Sequence, residues 1–185
     1  LPEKEDTLDG YEIGVYAFRG TSLASVTLPE SLTAVNSSSF QDCALLTEIV
    51  IPENVTLVGN EAFSGCKRLK SIKLGSKVSE IGYSAFNECV SLESIDLGNV
   101  QKIGYKAFSG CTLMKELTIP KTVVEAGDGY WGGCINNSSI ETVTFEEGIK
   151  KIPDYVCYGA SSVKTVNLPE KEDTLDGYEI GVYAF

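Results

Sequence analysis

The sequence contains no histidine, which excludes Ser-His and Cys-His nucleophile pairs and histidine metal ligands. Cations are also scarce, because 15 Lys and Arg stand against 26 Asp and Glu and the formal net charge is −11. A nucleic-acid backbone needs a basic face that displaces its counterions, so we expect no nucleic-acid partner. No apolar run approaches the roughly 18 to 20 residues that span a bilayer, so we expect no membrane insertion in this segment.

What the sequence does contain is an internal repeat with a step of about 23 residues. Residues 69–91 read LKSIKLGSKVSEIGYSAFNECVS, and residues 46–68 and 92–113 follow the same pattern. The shared frame is L-x-x-I-x-L-[PG]-x-x-V-x-x-I-G-x-x-A-F-x-x-C. Seven coils fit it, at 23–45, 46–68, 69–91, 92–113, 114–139, 140–162 and 163–185. The fifth has three extra residues, which we place in its INNSS stretch, and the last has five in PEKEDTLDGYE.

A longer period lies above the coils, because residues 1–18 are identical to residues 168–185. Neighbouring coils share little beyond the frame, so this identity is not ordinary divergence. The offset of 167 residues equals seven coils. The simplest interpretation is a 167-residue tandem unit followed by the start of the next, in a chain that is part of a longer protein. The alternative is a duplicated end that was added artificially.

The frame predicts a solenoid of stacked coils. The last two apolar residues of L-x-x-I-x-L alternate as in a half-buried strand, and the Pro or Gly that follows ends it. We expect these strands to form a parallel sheet on one face. V-x-x-I supplies two more inward residues, and the A-F pair fills the core, with Trp131 in the place of Phe in the fifth coil. Gly or Asn stands between them, and Pro153 replaces it once, which favours the start of a short helical turn on the other face.

The frame closely resembles the BspA-like class of leucine-rich repeats, and the resemblance covers essentially the whole chain. It departs from the class in the two insertions, in Cys157 at the aromatic place, and in Thr21 and Ala160 at the Cys place. The resemblance implies a single leucine-rich-repeat solenoid over residues 1–185. It also implies an extracellular or cell-surface location and a role in adhesion, matrix contact or surface scaffolding.

Five cysteines share one place in the frame, and we expect them to form a ladder along the solenoid. They are Cys43, Cys66, Cys89, Cys111 and Cys134. Buried free thiols are favoured, because stacked side chains keep their Cβ atoms wider apart than the roughly 3.8 Å of a disulfide. At least one bridge is the alternative. A metal site is not expected, since there is no C-x-x-C pair and no His. A catalytic thiolate is not expected either, since five equivalent cysteines cannot each be special. We therefore predict no cofactor and no enzymatic activity.

Four N-x-[ST] sequons are candidates for N-glycosylation, namely Asn36, Asn54, Asn136 and Asn137. Asn54 follows a strand-ending Pro and the latter two lie in an insertion, so these three are favoured over Asn36. The alternative is that all are ordinary polar residues. The acidic insertions at 3–12 and 170–179 are treated as solvated or partner-contacting loops, because their spacing is not that of a calcium loop.

The remaining candidate surface consists of the outward strand positions and the tyrosines of the turns. The strand positions are Thr47, Glu48, Val50, Lys70, Ser71, Lys73, Glu93, Ser94, Asp96, Glu141, Thr142 and Thr144. They are small or of mixed charge, without the aromatics and Arg that mark binding faces. We therefore predict a structural or adhesive protein whose partners are neighbouring copies of the same unit. The alternative is a recognition module for a host or matrix protein or a glycan, using the strand face or the insertion loops.

Overall fold

Each 23-residue frame forms one turn of a parallel β-solenoid of about seven turns, so the predicted stacked-coil architecture is confirmed. The computed structural model describes residues 10–128, 132–170 and 178–185. The strands in these ranges are β1 (Tyr11–Ile13), β2 (Leu32–Val35), β3 (Glu48–Val50), β4 (Leu57–Val58), β5 (Ser71–Lys73), β6 (Glu80–Ile81), β7 (Lys102–Ile103), β8 (Glu116–Ile119), β9 (Glu125–Ala126), β10 (Thr142–Phe145), β11 (Lys151–Ile152), β12 (Thr165–Asn167) and β13 (Glu179–Ile180).

Strands occur on two faces of the solenoid, where the sequence predicted one. The V-x-x-I segments form the longer sheet, six strands in the order β1-β2-β4-β6-β7-β9. The L-x-x-I-x-L segments form two shorter sheets, β3-β5 and β12-β10-β8. All registered strand pairs are parallel, and equivalent residues of successive coils face one another, as in Val58, Ile81 and Ile103. The V-x-x-I segment was missed as a strand because two residues are too few to show alternation.

The prediction of short helical turns is wrong, since the described residues contain no helix. The residue before the A-F pair has a left-handed backbone instead, with φ of 56° at Glu61 and 50° at Ser84. In this conformation, N–H groups point alternately into their own turn and toward the next coil. The amide of Ala62 donates to Gly59 of its own turn, whereas that of Phe63 donates to Ala85 of the next coil. A helix would direct all its amides along its own axis and leave the next coil unbonded.

The core is a column of phenylalanine rings, one from the A-F pair of each regular coil. Phe40, Phe63, Phe86 and Phe108 are fully buried. Their ring centroids are 5.3 to 5.7 Å apart and nearly parallel, which is the offset stacking that aromatic quadrupoles favour. The column is therefore continuous through four coils.

The fifth coil departs from the frame, but not where the sequence placed the departure. The amide of Phe108 donates to the carbonyl of Cys134, as Phe86 donates to Ala107 one coil earlier. Cys134 therefore occupies the Ala place, and the buried Ile135 follows it in the Phe place. The extra residues precede Cys134, in a loop closed by an antiparallel bridge between Asp128 and Gly132. Trp131, our candidate for the Phe place, lies outside the described residues.

The loop of the fifth coil also interrupts the longer sheet. Among the described strands, the sheet ends at β9, and β11 pairs with β13 instead. Gly127 and Gly132 flank the loop with φ of 91° and 121°, values that L residues with a side chain rarely adopt. Among the described residues, the longer sheet is thus interrupted at the fifth coil.

Candidate functional site

Four cysteines form a row in which each thiol is bound to the preceding coil. Cys43, Cys66, Cys89 and Cys111 donate from Sγ to the carbonyl oxygens of Phe18, Phe40, Phe63 and Phe86. The sulfur-to-oxygen distances are 3.1 to 3.2 Å. All six cysteines of the chain are free and buried. The row therefore links coils by hydrogen bonds, without disulfides.

Cys134 does not belong to this row, although the sequence placed it there. Its Sγ lies 3.6 Å from the carbonyl oxygen of Val156 in the following coil. The reason is the loop before Cys134, which shifts the fifth coil so that Ser138 takes the place of the row. Ser138 is buried, and its amide donates to Ile135 as that of Cys111 donates to Phe108.

The buried thiols are poor nucleophiles. Burial raises the pKa of Cys66 and of Cys111 to about 12, against an ordinary value of 9.0. Burial also raises the pKa of Cys89 and Cys134. A thiolate is the reactive form, so these side chains stay protonated near neutral pH. Their role in the fold is packing and hydrogen bonding.

The four sequons differ in their surroundings. Asn54 is exposed, and its amide donates to the carbonyl of Glu30 while Lys77 donates to its Oδ1. Asn137 is also exposed, with φ of 57°. Asn36 is half-buried and donates to a carboxylate oxygen of Glu12 at 3.0 Å.

Asn136 is more enclosed than Asn137, the other sequon of the fifth coil. It is half-buried, and its Nδ2 approaches Gly132 and Gly159 so closely that a Cβ on either glycine would meet it. An attached sugar needs this nitrogen to face solvent. Asn54 and Asn137 therefore remain the accessible sequons, and glycosylation stays a prediction.

Two grooves cross the coils. One of about 510 Å³ lies on the strand face and is lined by residues that include Glu48, Val50 and Lys73. Val50 is 60% exposed, and the lining also includes the apolar side chains of Val26 and Pro52, so the groove is of mixed polarity. The other, of about 280 Å³, runs beside the stacked rings of Tyr83 and Tyr105, whose centroids are 5.7 Å apart.

The two ends of the described solenoid are apolar. At the N-terminal end a pocket of about 230 Å³ is lined by residues that include Tyr11, Ile13 and Phe18. At the C-terminal end a pocket of about 330 Å³ is lined by residues that include Val166 and Phe185.

Comparison with known proteins settles the family. The profile of the BspA type leucine rich repeat region, in six copies, matches residues 9–109 and 98–185. The chain belongs to the BspA-type leucine-rich repeat family. None of the curated protein sequences matches it significantly.

The chain is similar to solved structures of bacterial leucine-rich repeat proteins. The leucine-rich repeat protein of T. pallidum is 30% identical, with a TM-score of 0.64 over 81% of this chain and 67% of that one. A leucine-rich repeat protein of Bacteroides ovatus is 24% identical, with a TM-score of 0.42, over 94% of this chain and 61% of that one. The pneumococcal vaccine antigen PcpA is 18% identical, with a TM-score of 0.44, over 92% and 62%. The chain thus spans less than two thirds of the latter two proteins.

BspA-type repeats are typically non-enzymatic. Within residues 10–128, 132–170 and 178–185, no group of three or more His, Cys, Asp or Glu side chains is arranged to hold a metal ion. The same ranges include no helix of the length and apolarity needed to cross a membrane. Most of the acidic insertion residues, at 3–9 and 171–177, lie outside the described part of the chain.

Proposed function

We propose that the chain is a non-enzymatic structural and adhesive repeat protein of the cell surface or extracellular space. In the proposal, its 167-residue units follow one another head to tail and form one continuous solenoid. Membership of the BspA-type family supports the location, because surface and secreted proteins are typical of that class. Support for the continuous solenoid comes from the two copies of the shared segment, 11–18 and 178–185.

Each copy of the shared segment is buried on a different side. Ile13, which faces the coil that follows it, is 4% exposed, whereas the equivalent Ile180 is 58% exposed. The alanine shows the reverse, since Ala17 is exposed and Ala184 is 2% exposed. Burying a residue such as Ile contributes about 1.5 to 3 kcal/mol. A copy with neighbours on both sides would gain both burials.

The backbone groups used by the two copies are also different. Toward the following coil, the amide of Phe18 donates to Ser39 and the carbonyl of Ile13 accepts from Asn36. Toward the preceding coil, the amide of Gly181 donates to Ile152 and the carbonyl of Ala184 accepts from Cys157. None of these four groups is used toward both sides. The segment can therefore pair with a coil on each side at once, as an internal coil must.

The test is a two-unit chain in which residues 1–167 are followed directly by residues 1–185. We expect a single cooperative unfolding transition at a higher temperature than that of one unit, because each coil gains stability from its neighbours. We also expect a particle longer by roughly 34 Å, from seven strand spacings of about 4.8 Å. As a control, Asp in place of the isoleucine equivalent to Ile13 and Ile180, in the copy of the shared segment at the junction, should give each unit its own unfolding transition. Two independent unfolding transitions in the two-unit chain without this substitution would contradict the proposal. Protease shaving of intact source cells tests the surface location, which is contradicted if the protein is protected.

Recognition by the strand face is the second candidate, and the groove beside Lys73 favours it. Lys70 and Lys73 are both exposed and lie on the same face as Val50. Saturable binding of a host protein or glycan to the isolated chain, abolished by Lys70→Glu with Lys73→Glu, is the expected result. Binding that the double variant leaves unchanged would assign recognition to another surface.

A further inference from the structure

We propose that the groove beside Tyr83 and Tyr105 binds a neutral oligosaccharide, which lies along the axis of the solenoid. This groove shares no lining residue with the groove beside Lys73. Its walls belong to the second, third, fourth and fifth coils, so coils stacked on either end of the chain leave it open. The proposal therefore depends neither on a head-to-tail array nor on recognition by the strand face.

The groove has two walls and a floor of glycines. One wall is the column of residues that follow the I-G step, and the other is the column of exposed residues on β6, β7 and β9. These columns are Asn60, Tyr83, Tyr105 and Asp128, and Glu80, Lys102 and Glu125. Between them in the chain lie Gly82, Gly104 and Gly127, which add no side chains. The groove spans three strand spacings of about 4.8 Å, or roughly 14 Å, so it accommodates several linked sugar rings.

The tyrosine pair supplies a flat apolar surface in this groove. Tyr83 is 42% exposed, and its ring is stacked on that of Tyr105 with an angle of 30° between the planes. Asn60 precedes the pair, and its Oδ1 accepts a hydrogen bond of 2.8 Å from the amide of Tyr83. This bond holds a polar side chain beside an exposed ring. The C–H face of a sugar ring can pack on such a ring while its hydroxyl groups meet the polar neighbour.

The charges around the groove favour a neutral ligand. The carboxylates are those of Glu80, Glu125 and Asp128, and the ammonium groups are those of Lys102 and Lys106. Lys102 lies 3.0 Å from Glu125, and the ammonium of Lys106 lies 5.0 Å from the ring centroid of Tyr105. A polyanion meets the carboxylates and a polycation meets the lysines, and like charges repel. Sugar hydroxyl groups both donate and accept hydrogen bonds, so they match this mixed set.

The experiment is saturation-transfer-difference NMR on the full chain. The neutral probes are tetrasaccharides of glucose, N-acetylglucosamine, mannose and galactose, and the charged probes are tetralysine and a sulfated heparin tetrasaccharide. Irradiation of the tyrosine ring protons should saturate the C–H protons of at least one neutral probe. We expect that probe to bind with a dissociation constant of roughly millimolar or lower.

The decisive variant is Tyr83→Ala, and Tyr158→Ala is its matched control. Tyr158 is 44% exposed and lies outside the groove, so the two variants lose equally accessible rings. Tyr83→Ala should weaken binding of the neutral probe about three- to tenfold, the loss expected for one ring contact. Tyr83→Phe keeps the ring and should bind like the wild-type protein, as should Tyr158→Ala. Circular dichroism checks that each variant is folded.

Three results would overturn the proposal. The first is that no neutral probe binds, and the second is that Tyr83→Ala and Tyr158→Ala bind the neutral probe equally well. The third is that tetralysine or the heparin probe binds in preference and is lost in Tyr83→Ala, which would assign the groove to a charged partner. The unfolding of the two-unit chain is a separate measurement, so failure of the proposed function leaves these results unaffected.

Discussion

The thiol of Cys66 donates a hydrogen bond to the carbonyl oxygen of Phe40, 3.1 Å away in the preceding coil. This contact repeats along the row of four cysteines, each with the phenylalanine of the coil before it. It joins the two most regular features of the frame, the A-F pair and the Cys place. The thiol gives this carbonyl a second hydrogen bond, because the carbonyl also accepts from the amide of Cys43 in its own coil.

Replacing Cys66 with Ala removes this donor and leaves a small cavity, while the carbonyl of Phe40 keeps its hydrogen bond from the amide of Cys43. We expect a loss of about 1 to 3 kcal/mol in the free energy of unfolding, measured by urea denaturation. Cys66→Ser keeps a donor and should lose less. Equal losses in the two variants would show that packing, and not the hydrogen bond, accounts for the role of the thiol.

The phenylalanine column predicts a strong dependence on position. Phe86 is fully buried, and its ring lies 5.7 Å from those of Phe63 and Phe108. Phe86→Ala should lower the free energy of unfolding by about 3 to 5 kcal/mol. Phe185→Ala is the matched control, because that ring holds the same place in the frame and is 54% exposed. Similar losses at the two positions would contradict a column that is continuous through the middle coils.

The raised thiol pKa values predict a loss of stability in alkali. The pKa of Cys66 and Cys111 is about 12 in the folded chain, against 9.0 ordinarily. The unfolded chain therefore releases these protons first, and stability is retained below pH 9 and lost progressively between about pH 9 and 12. Within this pH range, each such thiol lowers the free energy of unfolding by up to about 1.4 kcal/mol per pH unit. Cys66→Ser should reduce the slope of the urea midpoint against pH, and an unchanged slope would refute the assignment.

The glycine of the I-G step is required where a coil precedes it. A Cβ at Gly104 would lie 2.4 Å from the backbone nitrogen of Tyr83, whereas one at Gly14 would meet nothing within 4 Å. Gly104→Ala should cost about 1 to 3 kcal/mol through overpacking, and Gly14→Ala should be close to neutral. Thermal unfolding of the two variants decides this. A neutral Gly104→Ala would mean that neighbouring coils are separated more widely than the structure shows.

The frame was sufficient to predict the coils, the core phenylalanines and the family, because a period of about 23 residues fixes which side chains recur at one place. It did not predict the left-handed turns, since residues such as Glu61 and Lys106 have no intrinsic preference for positive φ. Bonding between coils imposes that backbone, and a single repeat contains no trace of it.

The position of Cys134 shows a different limit. Alignment by residue type placed Cys134 with the other cysteines. With the extra residues after Cys134, both its residue type and its distance from Gly127 match the frame. The hydrogen bond from Phe108 to Cys134 shows that they precede it. The frame spacing itself favours the wrong alignment, so only the pairing between coils reveals the correct one.

The irregular fifth coil has a consequence for how the chain reaches its native state. Regular coils present nearly the same surfaces to one another, so a nascent chain can stack one coil out of step at little energetic cost. The loop bridged by Asp128 and Gly132 breaks this regularity in the fifth coil. We therefore expect the fifth coil to disfavour folding intermediates in which the coils are stacked out of register.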